Sequence, residues 1–201
     1  MYTPYHSKYY ATQLTLKRPS NSIEKIASSL SGAKVDLNPH QIDAALFALR
    51  SPLSNGVLLA DEVGLGKTIE AAMVIAQYWA ERKRRILLIV PASLRNQWLS
   101  ELDEKFYIKS IILESKNYNQ MKHAGCLRPF ETKDKVVICS YHFAAKMADE
   151  IASVSWDLVV MDEAHRLRNV YKPSNIIGNT LKIALANKKN CCLLLPRSKT
   201  R

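Results

Sequence analysis

Long apolar runs are missing from this chain of 201 residues. The longest, such as Ile86 to Val90 and Leu158 to Met161, fall far short of the roughly 18 residues that a membrane span needs, so no transmembrane helix is expected. Cysteine is scarce as well. Cys126, Cys139, Cys191 and Cys192 are the four, with no Cys-x-x-Cys spacing, which speaks against a cysteine-held metal and fits a reduced, cytoplasmic setting. Cys139 lies inside an apolar run, as a small buried hydrophobe does. The opening Met1-Tyr-Thr-Pro-Tyr-His6 has no basic segment leading into an apolar one, so no secretory signal is read there. Acidic residues are absent from Arg166 to Arg201, a segment holding nine basic ones. The chain carries 29 Lys and Arg against 18 Asp and Glu, a net charge of +11, but residues 1–165 hold 20 basic and 18 acidic side chains. The excess is therefore C-terminal, and a uniform polyanion-binding surface is not implied. With 47% apolar and 23% charged residues, the composition is that of an ordinary globular domain.

Short apolar runs alternate with amphipathic segments along the chain. Val57 to Ala60, Ile86 to Val90, Ser110 to Leu113, Val136 to Cys139, Leu158 to Met161 and Cys191 to Leu195 are continuous rather than alternating, as strands covered on both faces are. Between them Ile69, Ala72, Met73, Ala76 and Trp79 recur at helical spacing, and so do Leu94, Trp98 and Leu102. This predicts an α/β fold with a mainly parallel sheet and helices on both faces. A helix is expected from Asn38, a capping residue, with Pro39 at its first position and Ser51-Pro52 as its stop. Ahead of it, alternation over Tyr10 to Leu16 predicts a strand and the spacing of Ile23, Ile26, Ala27 and Leu30 a helix. Residues 1–35 thus read as a small appended layer, in which Tyr2, Tyr5, Tyr9 and Tyr10 either pack an edge, dock another domain or stack on bases.

The first strand runs into Asp61-Glu62-Val63-Gly64-Leu65-Gly66-Lys67-Thr68, and a helix follows at once. Gly64 and Gly66 let backbone N–H groups turn towards a phosphate, and the helix N-terminus adds its positive end. Lys67 then reaches the β- and γ-phosphates as a point charge, and the Thr68 hydroxyl ligates Mg²⁺. The full pattern GxxxxGK[ST] would have glycine where Asp61 stands. The match therefore rests on Gly66-Lys67-Thr68 and on the strand and helix that flank it.

The fifth apolar run delivers Asp162-Glu163-Ala164-His165 to the carboxyl end of a buried strand, where ligands bind in open α/β sheets. Two adjacent carboxylates can divide the work of phosphoryl transfer: Asp162 orders the Mg²⁺ shell and Glu163 orients and deprotonates water. His165 would sit beside the γ-phosphate. Taken alone, the same four residues could be a solvated helix start. The basic run Arg82-Lys-Arg-Arg85 is either the solvated end of a helix or a nucleic-acid contact.

Gln41 in Leu37-Asn-Pro-His-Gln41, the loop Leu59 to Thr68, the segment Val90-Pro-Ala-Ser-Leu-Arg-Asn-Gln-Trp98 and Asp162 to His165 together resemble the first-lobe motifs of superfamily-two helicases. The wording of the loop is similar to Swi/Snf-type ATPases, particularly bacterial relatives of the RNA-polymerase-associated helicase. The resemblance covers about residues 36–195 and implies a three-layer, RecA-like P-loop lobe. It implies ATP and Mg²⁺ as cofactors, and ATP hydrolysis coupled to movement on nucleic acid, double-stranded DNA in this family. It implies Gln41 on the adenine edge and Asp61 to Thr68 around the phosphates. Thr68 and Asp162 fall to the metal, and Lys67, Glu163 and His165 to catalysis. Pro91 to Arg95 corresponds to a motif that grips a nucleic-acid backbone, and RNA polymerase or another protein complex is the implied partner.

The chain departs from the family after Leu195. A Ser/Thr-Ala-Thr-Pro sequence is expected there, yet Pro196-Arg-Ser-Lys-Thr-Arg201 follows, and a second lobe with its completing arginines is not encoded in these residues. Residues 196–201 are accordingly read as an atypical tail. Two readings remain: the ATP-binding lobe of a DNA motor, or a truncated or frameshifted nucleotide-binding module without useful turnover. In both, the isolated chain is expected to be nearly inactive. Arg166, Arg168 and Lys172 are the basic residues expected near the nucleotide cleft or the DNA track.

Overall fold

The computed structural model describes residues 38–50, 56–59, 66–132, 134–167, 175–186 and 191–194, with scattered positions before residue 36. The strand expected at Tyr10 to Leu16, the loop residues Asp61, Glu62, Val63, Gly64 and Leu65, the basic residues Arg168 and Lys172, the side chain of Arg166 and the tail 196–201 lie outside the described residues. Of the first expected helix, Ile26, Ala27 and Leu30 are helical.

Among the described residues, six strands form one sheet: β1 (Gly56–Leu59), β2 (Ile86–Val90), β3 (Ser110–Leu113), β4 (Val136–Ser140), β5 (Leu158–Met161) and β6 (Cys191–Leu194). Their order is β1-β6-β5-β2-β4-β3, and every pairing is parallel. The register aligns Leu58, Leu193, Met161, Ile89, Cys139 and Leu113 in one row across the sheet. The residues after that row form the carboxyl edge, where Asp162, Ser140 and Glu114 stand.

Seven helices are described: α1 (Pro39–Arg50), α2 (Lys67–Ala80), α3 (Arg95–Ser100), α4 (Ser115–His123), α5 (Tyr141–Lys146), α6 (Ala148–Ser153) and α7 (Ile176–Leu185). Successive strand residues divide between two apolar clusters, as a pleated strand covered on both faces requires. Ile86, Leu88, Val90, Ile138 and Val160 pack with α1, α2 and Trp98 of α3. Leu87, Ile89, Val137, Cys139, Val159 and Met161 pack with residues of α4, α5, α6 and α7. The three-layer arrangement expected from the continuous apolar runs is what the chain adopts.

Two local features differ from a plain amphipathic reading. Helix α2 is buried at every position from Glu70 to Gln77, because it is covered on its outer side by α1, so a single apolar stripe understates it. Helix α3 runs into a π-type turn at Glu101–Lys105, which carries Leu102 into the same apolar cluster as Trp98. The basic run also departs from a purely solvated helix end. Arg84 lies over the Trp79 ring at 4.8 Å and Lys83 over Tyr78 at 5.0 Å, and the Arg85 backbone N–H donates to Asp157 Oδ2 at 3.0 Å.

Candidate functional site

Strand β6 lies between β1 and β5, so the carboxyl ends of β1 and β5 flank that of β6 on one edge of the sheet. Gly66 is the N-cap of α2, with φ 90° and ψ 33°, a left-handed conformation that glycine adopts without a Cβ clash. Lys67 and Thr68 begin the helix itself. The charge of Lys67 is felt at Asp162, so these two predicted residues, about a hundred positions apart in the chain, share one site.

Gln41 reaches the same place from α1. It is 5% exposed, and a Cβ built on Gly66 would come within 2.3 Å of its Nε2. Its Oε1 accepts the Asn38 backbone N–H at 3.3 Å, the return half of a capping box at the start of α1. A solvated surface glutamine is thus excluded. Gln41 is held by its own helix start and laid against the glycine that precedes Lys67.

Asp162 is fixed at four points. Its backbone N–H donates to Ile89 O at 2.9 Å, extending the β5–β2 pairing by one residue. Its carbonyl oxygen accepts the Tyr141 hydroxyl at 2.6 Å. On the side chain, Oδ1 accepts the Glu163 backbone N–H at 2.8 Å, and Oδ2 accepts the Trp98 indole Nε1–H at 2.8 Å. Burial pushes the Asp162 carboxyl up. The Trp98 and Glu163 hydrogen bonds oppose that rise, the neighbouring Glu163 carboxylate adds to it, and Lys67 pulls it back down.

Glu163 has φ 53°, a strained conformation for a residue with a Cβ and one that recurs at functional turns. Its Oε2 lies 2.8 Å from His165 Nδ1, a close contact that lacks hydrogen-bond geometry. Both side chains are partly exposed, Glu163 at 33% and His165 at 41%, so they can be reached from the edge of the sheet. Ala164–Leu167 forms a 3-10 turn.

The segment that follows β2 is ordered by its own contacts. A 3-10 turn at Ala92–Leu94 leads into α3, and Arg95 pairs with Glu114 Oε2 at 3.0 Å while its Nε donates to Ala92 O at 3.1 Å. Two residues at the site escaped sequence reasoning. Trp98 was legible as part of an apolar stripe and as the end of the Val90 to Trp98 motif, with no role at the acidic pair, and Tyr141 follows β4 with no motif around it. The one available signal was chemical, since a buried indole or phenol must find a partner for its polar hydrogen.

A parallel α/β lobe with a glycine-led helix beside a strand-end acidic pair is a RecA-like lobe of the superfamily-two helicase class. The family model for the SNF2-related domain matches residues 13–193, and the chain belongs to that family. It is 42% identical over 144 residues to the RNA polymerase-associated protein RapA of Yersinia enterocolitica, covering 70% of this chain and 15% of that protein. It is 41% identical over the same length to RapA of Serratia proteamaculans, with the same coverage. The chain thus spans about 15% of the length of these curated relatives. Among solved structures, the Sulfolobus solfataricus SWI2/SNF2 ATPase core in complex with dsDNA matches with a TM-score of 0.64 and 20% identity. That match covers 83% of this chain and 33% of the other, and it bears on the fold.

Proposed function

We propose that residues 36–195 are the ATP-binding lobe of a Swi/Snf-type DNA-dependent ATPase that couples ATP hydrolysis to movement on double-stranded DNA. The observation that carries the reading is the meeting of Gly66-Lys67-Thr68 and Asp162-Glu163 on one carboxyl edge, with Lys67 close enough for its charge to act on Asp162. The residues fit ATP and Mg²⁺. A lysine and a glycine-led helix N-terminus suit phosphate, and a hydroxyl with one oriented carboxylate suits a cation that takes much of its shell from phosphate and water.

Bound ATP·Mg²⁺ supplies the transferable phosphoryl group and the metal charge that stabilises its transfer. Lys67 would bind the β- and γ-phosphates, and the resemblance assigns Asp61 to Gly66 to the same phosphates. Thr68 and Asp162 would hold the metal. Glu163 takes the proton of the attacking water, and His165, in contact with Glu163, senses the γ-phosphate. Gln41 contacts adenine. The segment Pro91 to Arg95 lies on the DNA track, with double-stranded DNA suggested by the complex in which the Sulfolobus solfataricus SWI2/SNF2 ATPase core was solved. RNA polymerase is the proposed partner, from the name of the relatives. A cytoplasmic location goes with that assignment. By the resemblance, arginines of a second lobe complete the site, and an arginine supplied in this way is worth about 10³–10⁵ in rate. These 201 residues alone should therefore turn over slowly.

Titration of the purified chain with a fluorescent ATP analogue and Mg²⁺ tests the reading. Saturable binding is expected, with loss of affinity in Lys67→Ala; equal affinity in that variant would overturn it. DNA-stimulated hydrolysis at about 1 s⁻¹, an ordinary enzymatic rate, would contradict the slow turnover assigned to the isolated lobe.

A further inference from the structure

We propose that Trp98 is the positioning residue that orients the Asp162 carboxylate towards Mg²⁺. The inference rests on the nucleotide-site reading above and adds to it a residue outside the phosphate and acidic motifs. Helix α3 packs against β3 and β4, yet the indole N–H of its Trp98 reaches the residue after β5, with β2 lying between β4 and β5. At about 4.8 Å per strand spacing, this is a span of two strands, bridged by the largest side chain the code offers.

The bond is well placed to set geometry. Trp98 is 1% exposed and its ring is part of the packed cluster under α1 and α2. A rigid ring with two torsions, enclosed on all sides, holds its N–H at a fixed point. The two donors to the carboxylate act on different oxygens, the Glu163 backbone N–H on Oδ1 and the Trp98 Nε1–H on Oδ2. Together they fix the plane of the carboxylate and leave one lone-pair direction on each oxygen for a metal. Partners of this kind around a metal ligand typically govern about 10- to 100-fold in metal affinity.

The other two tryptophans provide internal controls. Trp156 donates its Nε1–H to Ile151 O at 2.9 Å, and Trp79 is stacked by Arg84; neither touches the acidic pair.

Trp98→Phe keeps an aromatic ring and removes the donor. Binding of the fluorescent ATP analogue is measured over a Mg²⁺ titration and again in EDTA, beside unaltered chain and Lys67→Ala. The expected result is an increase of about tenfold or more in the Mg²⁺ concentration for half-saturation, with affinity in EDTA unchanged. A merely structural tryptophan would lower both affinities together, and that result, or an unchanged Mg²⁺ midpoint, overturns the proposal. As a second measurement, which needs no variant to fold, the ¹⁵N-indole resonances of the unaltered chain are followed as Mg²⁺ is added to nucleotide-loaded protein. The Trp98 signal should move while those of Trp79 and Trp156 stay; a stationary Trp98 signal overturns the proposal. If the unaltered chain shows no Mg²⁺-dependent nucleotide binding at all, the nucleotide-site reading fails and the role of Trp98 falls with it. If binding is Mg²⁺-dependent but indifferent to Trp98, the role of Trp98 alone is lost.

Discussion

Gln41 rests against Gly66, so close that a Cβ on the glycine would come within 2.3 Å of the glutamine Nε2. This contact joins the start of α1 to the start of α2 and closes one end of the proposed nucleotide site.

Gly66→Ala should therefore act twice. A left-handed conformation at φ 90° costs a residue with a Cβ about 1–2 kcal/mol, and the Gln41 amide must swing away. Urea denaturation should show a loss of stability of that size, and nucleotide affinity should fall with it. An unchanged unfolding midpoint would mean that the turn relaxes without cost.

Gln41 separates stability from base recognition. Removing the acceptor of the Asn38 N–H in Gln41→Ala should cost about 0.5–2 kcal/mol, the range for a lost helix cap. Gln41→Glu keeps an acceptor oxygen and loses the amide donor, so it should retain the helix while losing preference for ATP over GTP. Competition of the two nucleotides against a fluorescent analogue reads the difference; identical selectivity in Gln41→Glu and the parent chain would remove Gln41 from the adenine site.

Strain at Glu163 predicts a trade between stability and activity. At φ 53°, replacement by glycine relieves about 1–2 kcal/mol of left-handed strain and gives back about 0.5–1 kcal/mol through the freer unfolded chain. Glu163→Gly should thus be more stable by up to roughly 1.5 kcal/mol, the difference between those terms. It should also be without hydrolysis in any context where the parent chain hydrolyses. Thermal melts and phosphate release test the two halves separately, and a destabilised glycine variant would show that the turn is held by the Glu163 side chain instead.

Cys139 should be inert. It is fully buried in β4, and burial pushes its thiol up from 9.0 to about 12. A thiol whose proton is held more tightly in the folded state stabilises that state below pH 9, and the contribution is lost as pH rises from 9 to about 12. Iodoacetamide at pH 8, followed by peptide mass mapping, should alkylate the partly exposed Cys126 and leave Cys139 unmodified until the chain unfolds. Equal labelling of the two at low denaturant would mean that β4 opens readily.

Much of this lobe could be read from local pattern. Continuous apolar runs such as Ile86–Val90 and Leu158–Met161 announced buried parallel strands, and both strands carry those bounds, because a strand covered on two faces has no polar side to show. Lys67, Thr68, Asp162 and Glu163 could be proposed from sequence because phosphate and metal chemistry demands particular side chains at strand ends. The helices α5 and α6, at Tyr141–Lys146 and Ala148–Ser153, were not, since six-residue helices are too short to develop a periodic stripe and depend on packing for their existence.

Residue order thus specified the α/β alternation, the chemistry of the acidic and basic groups and the family. It did not specify which residues meet. That Lys67 comes near enough to Asp162 for its charge to act there depends on strand order, which sets β1 and β5 on either side of β6. That Gln41 lies on Gly66, that Tyr141 holds the Asp162 carbonyl and that the Trp98 indole holds its carboxylate follow from the packing of helices over the sheet. Local periodicity reports which face of an element is buried. Only the register and crossing of distant elements decide which polar hydrogen finds which oxygen once that face is closed.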